Sequence, residues 1–208
     1  MIIRILAALI ILFAHSVFAD EQQLISTLKN TQNNAEATAD AIELGNTRAF
    51  ICKYCHGEDG NSKKSSIPNL AGQNPVYLLR QIEMFANGLR DNRTMNEISR
   101  VLSLQDKVNI ALFYSSQQVT EQTLYRPELV SEGKQLFQTR CFFCHGKDGH
   151  GKEELPRIAS QPADYVIKTL SSYSSSLVKR IETPMSRVAR TLEKDEIQAL
   201  AAYLTSLE

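Results

Sequence analysis

The chain has no excess of charge of either sign: 23 Lys and Arg stand against 23 Asp and Glu in 208 residues. A nucleic-acid binder needs a basic face to displace counterions, and the overall balance lends that class no support. Trp is absent and Gly is limited to nine. Beyond residue 19 no apolar run approaches the roughly 20 residues that a membrane-spanning helix requires, so no later segment is expected to cross a bilayer. No stretch carries a convincing strand pattern, which points away from a sheet fold. An apolar fraction of 43% excludes a disordered chain.

The one long apolar segment lies at the start. Met1-Ile-Ile-Arg4 leads into the run Ile5 to Phe13, and Val17 and Ala19 then occupy the −3 and −1 positions of a small-residue cleavage site. A basic start, a short apolar core and such a site describe a secretory signal peptide over residues 1–19. The rival reading, a retained anchor, suffers from the shortness of the run. Without these residues the chain carries 22 basic and 23 acidic side chains.

All four Cys lie in the exported part, as Cys52, Cys55, Cys141 and Cys144. They belong to a repeat. CKYCHGEDG from Cys52 is matched 89 residues later by CFFCHGKDG from Cys141. Gly45 and Gly133 precede them. Downstream, Pro68-Asn-Leu-Ala-Gly-Gln pairs with Pro156-Arg-Ile-Ala-Ser-Gln, Tyr77 with Tyr165, Met95 with Met185, and DKVNIALFY (Asp106 to Tyr114) with DEIQALAAY (Asp195 to Tyr203). Shared order over this length reads as two copies of one small domain, predicted at residues 41–120 and 121–208. Each copy is predicted to be all-α. A short helix (Ala41 to Phe50; Val130 to Thr139) runs into the Cys motif. A middle helix starts near Tyr77 or Tyr165, a loop carries the Met, and a last helix starts near Ser103 or Thr191. Ser103 with Asp106 fits a capping box. Residues 20–40 are polar and unrepeated, and read as a frayed or helical leader.

Cys-x-x-Cys-His is the attachment pattern of c-type haem. Two thiols add across the haem vinyl groups, and the following His sits under the iron. Cys52, Cys55 and His56 are therefore assigned to one haem, and Cys141, Cys144 and His145 to a second. Four exported Cys suggest disulfides as a competing reading. A redox dithiol would call for a βαβ setting. A zinc site would call for pairs roughly 15–20 residues apart, whereas 85 residues separate these.

An electron carrier needs a sixth iron ligand, usually Met or His. His15 lies in the leader, and His150 is too close along the chain to its own haem His. That leaves Met95 and Met185, with Met84 as a rival that sits in an apolar helical pattern and reads as core filler. Pro68 and Pro156 offer a carbonyl but no N–H, and lie where they can accept the ligand His ring proton or simply shape a turn. Tyr77 and Tyr165 reach propionates or pack. Arg90 and Arg93 neutralise propionates or lie on the surface.

Two CxxCH halves, each with a Pro-Asn-Leu-like loop and a Met before a final amphipathic helix, resemble the dihaem cytochrome c4 family of tandem class I c-type cytochromes. The resemblance covers about residues 41–208. It implies two all-α domains about a pseudo-twofold axis, with haem propionate edges facing across the interface. It implies His56 and Met95 as axial ligands of one iron, and His145 and Met185 of the other. It also implies a periplasmic carrier, soluble or loosely membrane-associated, between respiratory complexes and a terminal oxidase. Departures are Arg93-Thr-Met95 against Pro184-Met185, Pro156-Arg-Ile in place of Pro-Asn-Leu, a Tyr165-to-Met185 segment two residues longer than its counterpart, and the polar leader. An electron-accepting subunit of a sulfide- or alcohol-oxidising complex is the alternative. An enzyme in its own right would need an exchangeable iron site, against which a Met for each haem argues.

Overall fold

The computed structural model describes residues 21–174 and 184–208; the leader expected at residues 1–19 lies outside them. Helix α1 covers residues 21–32, α2 Ala35–Arg48, α3 Phe50–His56, α4 Pro75–Ala86, α5 Arg93–Arg100 and α6 Leu104–Ser115. After a 3-10 turn at Pro127–Leu129 come α7 (Val130–Arg140), α8 (Phe142–His145), α9 (Ala163–Ser174), α10 (Pro184–Ala189) and α11 (Lys194–Thr205). No extended strand occurs among the described residues; β structure there is limited to single bridge residues, such as the pair Lys152 and Leu155.

Local chemistry sets the helix starts. Asn34 caps α2 by accepting from Ala37 N at 3.1 Å, and Asn92 caps α5 by accepting from Met95 N at 3.1 Å. Pro75 begins α4, where its missing N–H costs nothing. Ser103 and Asp106 form the expected capping box on α6, at 3.1 and 3.0 Å. In the second copy the box is Glu193 with Glu196, so α11 starts later than Thr191.

Helices α2 to α6 recur as α7 to α11, and each copy has its own core. One is built from Leu24, Leu28, Leu79, Val108, Ala111 and Tyr114, the other from Phe137, Val166, Leu200, Ala201 and Leu204. The last helix runs through the middle of each: seven consecutive α6 residues, Val108 to Tyr114, are buried, as a helix surrounded on all sides requires. It is crossed closely by the first helix of its copy. A Cβ at Gly45 on α2 would strike Asn109 O and lie 2.8 Å from Phe113 Cβ. At Gly133 on α7 it would strike Ala199 O and lie 2.8 Å from Tyr203 Cβ. Glycine is what lets the two backbones touch.

The structure departs from the sequence expectations in two places and decides between alternatives in a third. Of the two readings of the polar leader, frayed or helical, it shows the helical one, docked on the first core: Leu24 and Leu28, one turn apart, are both buried, and Glu21 pairs with Arg80 on α4 at 2.5 Å. Two leucines at helical spacing are enough to dock it. The Met-bearing segments are short helices rather than loops, because Asn92 caps the first and Pro184 leads the second. Finally, the last helices match one residue out of the expected register. Asn109 corresponds to Ala199 and Phe113 to Tyr203 by their glycine contacts, so Asp106 pairs with Glu196 and not with Asp195.

Arg48 Nε also reaches Asp106 Oδ1 at 3.1 Å. Burial pushes the Asp106 carboxyl up, but the Ser103 hydrogen bonds and Arg48 outweigh that and hold it below the usual range. Its stabilisation is present above the unfolded carboxylate pKa of about 3.9 and is lost as pH falls through the depressed folded value. Asp106→Ala is expected to cost about 1 kcal/mol at neutral pH through loss of the cap. In denaturant melts the gap to wild type should close in acid. Gly45→Ala and Gly133→Ala should each lower the thermal midpoint by the equivalent of about 1–3 kcal/mol of overpacking. Unchanged circular-dichroism melts would show that the helix pairs have room to part.

Candidate functional site

The first Cys-x-x-Cys-His motif lies within α3, the second begins at Cys141 between α7 and α8, and both short helices end on the His. Gly57 and Gly146 follow with φ of 86° and 79°, a backbone that other residues adopt only under strain. The chain therefore turns away just after the imidazole. Cys52 and Cys141 pack against the cores of their own copies, while Tyr54 and Phe143, at matched positions inside the motifs, face outward.

Both imidazoles are buried, with 8% of His56 and 4% of His145 exposed. His56 Nδ1 lies 3.0 Å from Pro68 O, and His145 Nδ1 lies 3.0 Å from Pro156 O. A carbonyl only accepts, so Nδ1 carries the proton in each ring and the lone pair falls on Nε2. Burial pushes both imidazoles below their ordinary pKa against the opposing pull of the carbonyl, and the nearby Arg90 charge adds to the effect at His56. A neutral imidazole oriented with its lone pair on Nε2 is a metal ligand in its binding form.

The two prolines sit in loops of the same build. Gly60 O accepts from Leu70 N at 2.7 Å and Ala71 N at 3.2 Å; Gly149 O accepts from Ile158 N and Ala159 N at the same two distances. The loops also join the two copies. Asn74 Nδ2 donates to Leu155 O at 2.6 Å, and Tyr165 N donates to Ser65 O at 2.9 Å.

The thiols behave as structural groups. All four are free of disulfides. Burial pushes Cys52 up and carries Cys141 to about 11, which disfavours the thiolate needed for zinc binding or dithiol exchange. A neutral thioether loses nothing by such burial. No group of three or more His, Cys, Asp or Glu among the described residues could hold a metal ion. Arg157 Nε is buried beside Pro156 without a hydrogen-bond partner among the described residues, leaving a donor for an anionic edge. Two ring-oriented imidazoles, each next in sequence to a disulfide-free Cys pair, with that spare cationic donor, suit covalent haem better than a bare ion.

Met95 and Met185 are half-buried on α5 and α10. Asn96, a residue that sequence reasoning passed over, holds the first of these helices. Its side chain donates to Phe85 O at 2.5 Å and Arg90 O at 3.0 Å, and accepts from Asn92 N at 2.9 Å. Met84 lies within α4, where its sulfur accepts from Gln81 Nε2 at 3.6 Å. His150 is a surface residue between Glu208 O at 2.7 Å and Asp148 at 3.2 Å. Arg93 is exposed and faces Glu97 at 3.5 Å.

Arg90, by contrast, lies half-buried at the junction. It covers the Phe85 ring at 4.5 Å and donates to Gln81 at 2.5 Å and to Tyr165 Oη at 3.3 Å. Burial pushes its guanidinium down, but the Tyr165 and Tyr77 phenols more than offset that, so the charge persists between the copies.

With this geometry in place, the chain can be set beside known proteins. The cytochrome c family pattern matches residues 130–208. Cytochrome c4 of Pseudomonas aeruginosa is 32% identical over 185 residues, covering 83% of this chain and 91% of that protein. The crystal structure of reduced recombinant cytochrome c4 from Pseudomonas stutzeri superposes with a TM-score of 0.72 at 32% identity, over 80% of this chain and 98% of that one. A thiosulfate dehydrogenase electron acceptor of Stutzerimonas stutzeri is 26% identical over 175 residues, 78% of this chain and 81% of that protein.

Met84→Leu keeps the volume of a core side chain. It is expected to cost less than about 1.5 kcal/mol and to leave the visible spectrum of the purified protein unchanged. A changed spectrum would mean that the Met84 sulfur does more than fill space.

Proposed function

Because the chain belongs to the cytochrome c4 family, and is thus a c-type cytochrome that carries electrons on two covalently bound haem c groups, we propose that it is a periplasmic shuttle. It is exported on residues 1–19 and passes electrons between respiratory partners towards a terminal oxidase. Its two tandem class I cytochrome c domains, related by a pseudo-twofold axis, hold one haem each. In this reading Cys52 and Cys55 staple one haem, and Cys141 and Cys144 the other. His56 with Met95, and His145 with Met185, are the axial iron ligands. The single observation that carries the reading is the pair of buried imidazoles, each locked by a proline carbonyl so that the lone pair falls on Nε2.

The haem, when bound, supplies the one-electron oxidation and reduction of its iron. The chain's work is to keep that change cheap. The Pro68 and Pro156 carbonyls stop the imidazoles from rotating. Asn96 fixes the helix bearing Met95, so a thioether is presented from the same place in both oxidation states. A Met opposite His favours the reduced iron and raises the potential. Contacts with partners are expected to be small and transient, below about 1,200 Å².

The likeness to a thiosulfate dehydrogenase electron acceptor favours one second reading, a cytochrome permanently bound to a dehydrogenase. Copurification of the tagged chain from its own host separates the two: a stoichiometric oxidising enzyme supports the subunit, and a lone cytochrome supports the shuttle.

The ligand assignment is tested on Met95→Ala and Met185→Ala. Each is expected to remove about half of the weak far-red band of thioether-ligated ferric haem, with the mass of two attached haems retained. A Met95→Ala spectrum identical to wild type would overturn the ligand of the first iron. The mature chain should begin at Asp20 by N-terminal sequencing.

A further inference from the structure

Two buried glutamines outside the haem motifs connect each ligand imidazole to the opposite domain. Gln73 and Gln161 end the matched segments Pro68–Gln73 and Pro156–Gln161, and are 4% and 5% exposed. Each reaches across the junction and grips the backbone of the residue after the other domain's proline. Asn69 N donates to Gln161 Oε1 at 3.0 Å, and Gln161 Nε2 donates back to Asn69 O at 3.0 Å. In mirror fashion, Arg157 N donates to Gln73 Oε1 at 2.7 Å, and Gln73 Nε2 donates to Arg157 O at 2.8 Å. Asn69 and Arg157 occupy the same repeat position, so the two grips are related by the pseudo-twofold axis.

The N–H of Asn69 and the C=O of Pro68 belong to one peptide group. The same holds for Arg157 and Pro156. Each domain therefore contains an unbroken chain: imidazole Nδ1–H, proline carbonyl, peptide N–H, glutamine carbonyl of the other domain. A peptide group is a single resonance unit. An acceptor on its N–H places more negative charge on its oxygen, and hydrogen bonds in series strengthen one another by about 10–30% each. A stronger acceptor at Nδ1 makes the imidazole a better electron donor to the metal, which favours ferric iron and lowers the potential. The backbone before each glutamine serves this placement. Gly72 and Ser160 both have positive φ, 60° and 54°, and Ser160 holds it with its N–H bonded to Leu204 O at 2.9 Å, the counterpart of Gly72 N to Tyr114 O at 3.0 Å.

We infer that Gln161 and Gln73 are positioning residues that tune the haem of the opposite domain through one peptide group, so that each reduction potential depends on the two domains being docked. This rests on His56 and His145 being the axial ligands. Simple glue between domains would act otherwise: its loss would move both haems together or the nearer one.

The test uses the full dihaem protein, with redox titration followed by NMR so that the methyl resonances of each haem are read separately. Gln161→Leu is expected to raise the potential of the haem on Cys52 and Cys55 and leave the other in place. Gln73→Leu should do the reverse. Gln161→Asn and Gln73→Asn, one methylene shorter but still polar, are expected to repeat the crossed pattern and serve if the Leu variants fold poorly. Shifts in the mutated domain's own haem, equal shifts in both, or none would overturn the inference. Loss of a haem or of the far-red band in wild type would instead overturn the ligand reading, whereas uncrossed shifts with both spectra intact would sink the relay alone.

Discussion

The peptide group after each repeat's proline is the joint on which the rest of the molecule turns. Its carbonyl pins the ring proton of the buried His at 3.0 Å in both copies. That one hydrogen bond decides the tautomer, places the lone pair on Nε2 and makes a neutral imidazole tolerable in a buried site. Proline suits the position because it presents a carbonyl with no competing N–H of its own. The N–H on the other side of the peptide faces outward from the domain, and there the second copy is gripped. In the proposed reading, haem ligation and domain docking thus meet in the same few atoms.

The two copies are built alike where the chemistry demands it and differ where it does not. The loop bonds from Gly60 and Gly149 are the same to 0.1 Å, as are the imidazole bonds. The differences lie around them. Only the first copy has a leader helix in its core. Asn69 finds partners for its side chain in Ser62 N at 2.8 Å and Ser160 O at 2.8 Å, whereas Arg157 at the same place has an Nε without a partner among the described residues. Arg90 sets a positive charge beside His56 and reaches Tyr165 of the second copy. Two irons in such unequal electrostatic settings are not expected to share one potential, since local charge and hydrogen bonding tune it, and an inequality gives an electron a preferred direction.

Much of the fold was legible before any coordinates. The proline loops and the capping box at Ser103 each carry a local physical reason, and each lies where that reason predicts, whereas Gly45 and Gly133 were legible only as a matched pair whose contact with the last helix is tertiary. What misled were features whose meaning depends on distant partners. The leader looked polar because few of its side chains, Leu24, Ile25 and Leu28 among them, face the core. The Met segments looked like loops because their helices are short and depend on a cap and on the Asn96 side chain. The last helices were matched by their terminal tyrosines, but packing follows the glycine contacts and shifts the register by one.

The linear order of residues was sufficient to specify a duplicated helical unit and to propose two haem attachment sites with two ring ligands, because those follow from short-range spacing and from what each side chain can bond. The grip of Gln73 and Gln161 across the junction was not readable in that way. Both residues stood in plain view at the end of matched hexapeptides, yet a carboxamide has no preferred partner until folding brings a backbone N–H and C=O within 3.0 Å of it. Only the tertiary structure decides that each reaches the other domain, since it is the pairing of two separately folded cores that places residues about 90 positions apart face to face.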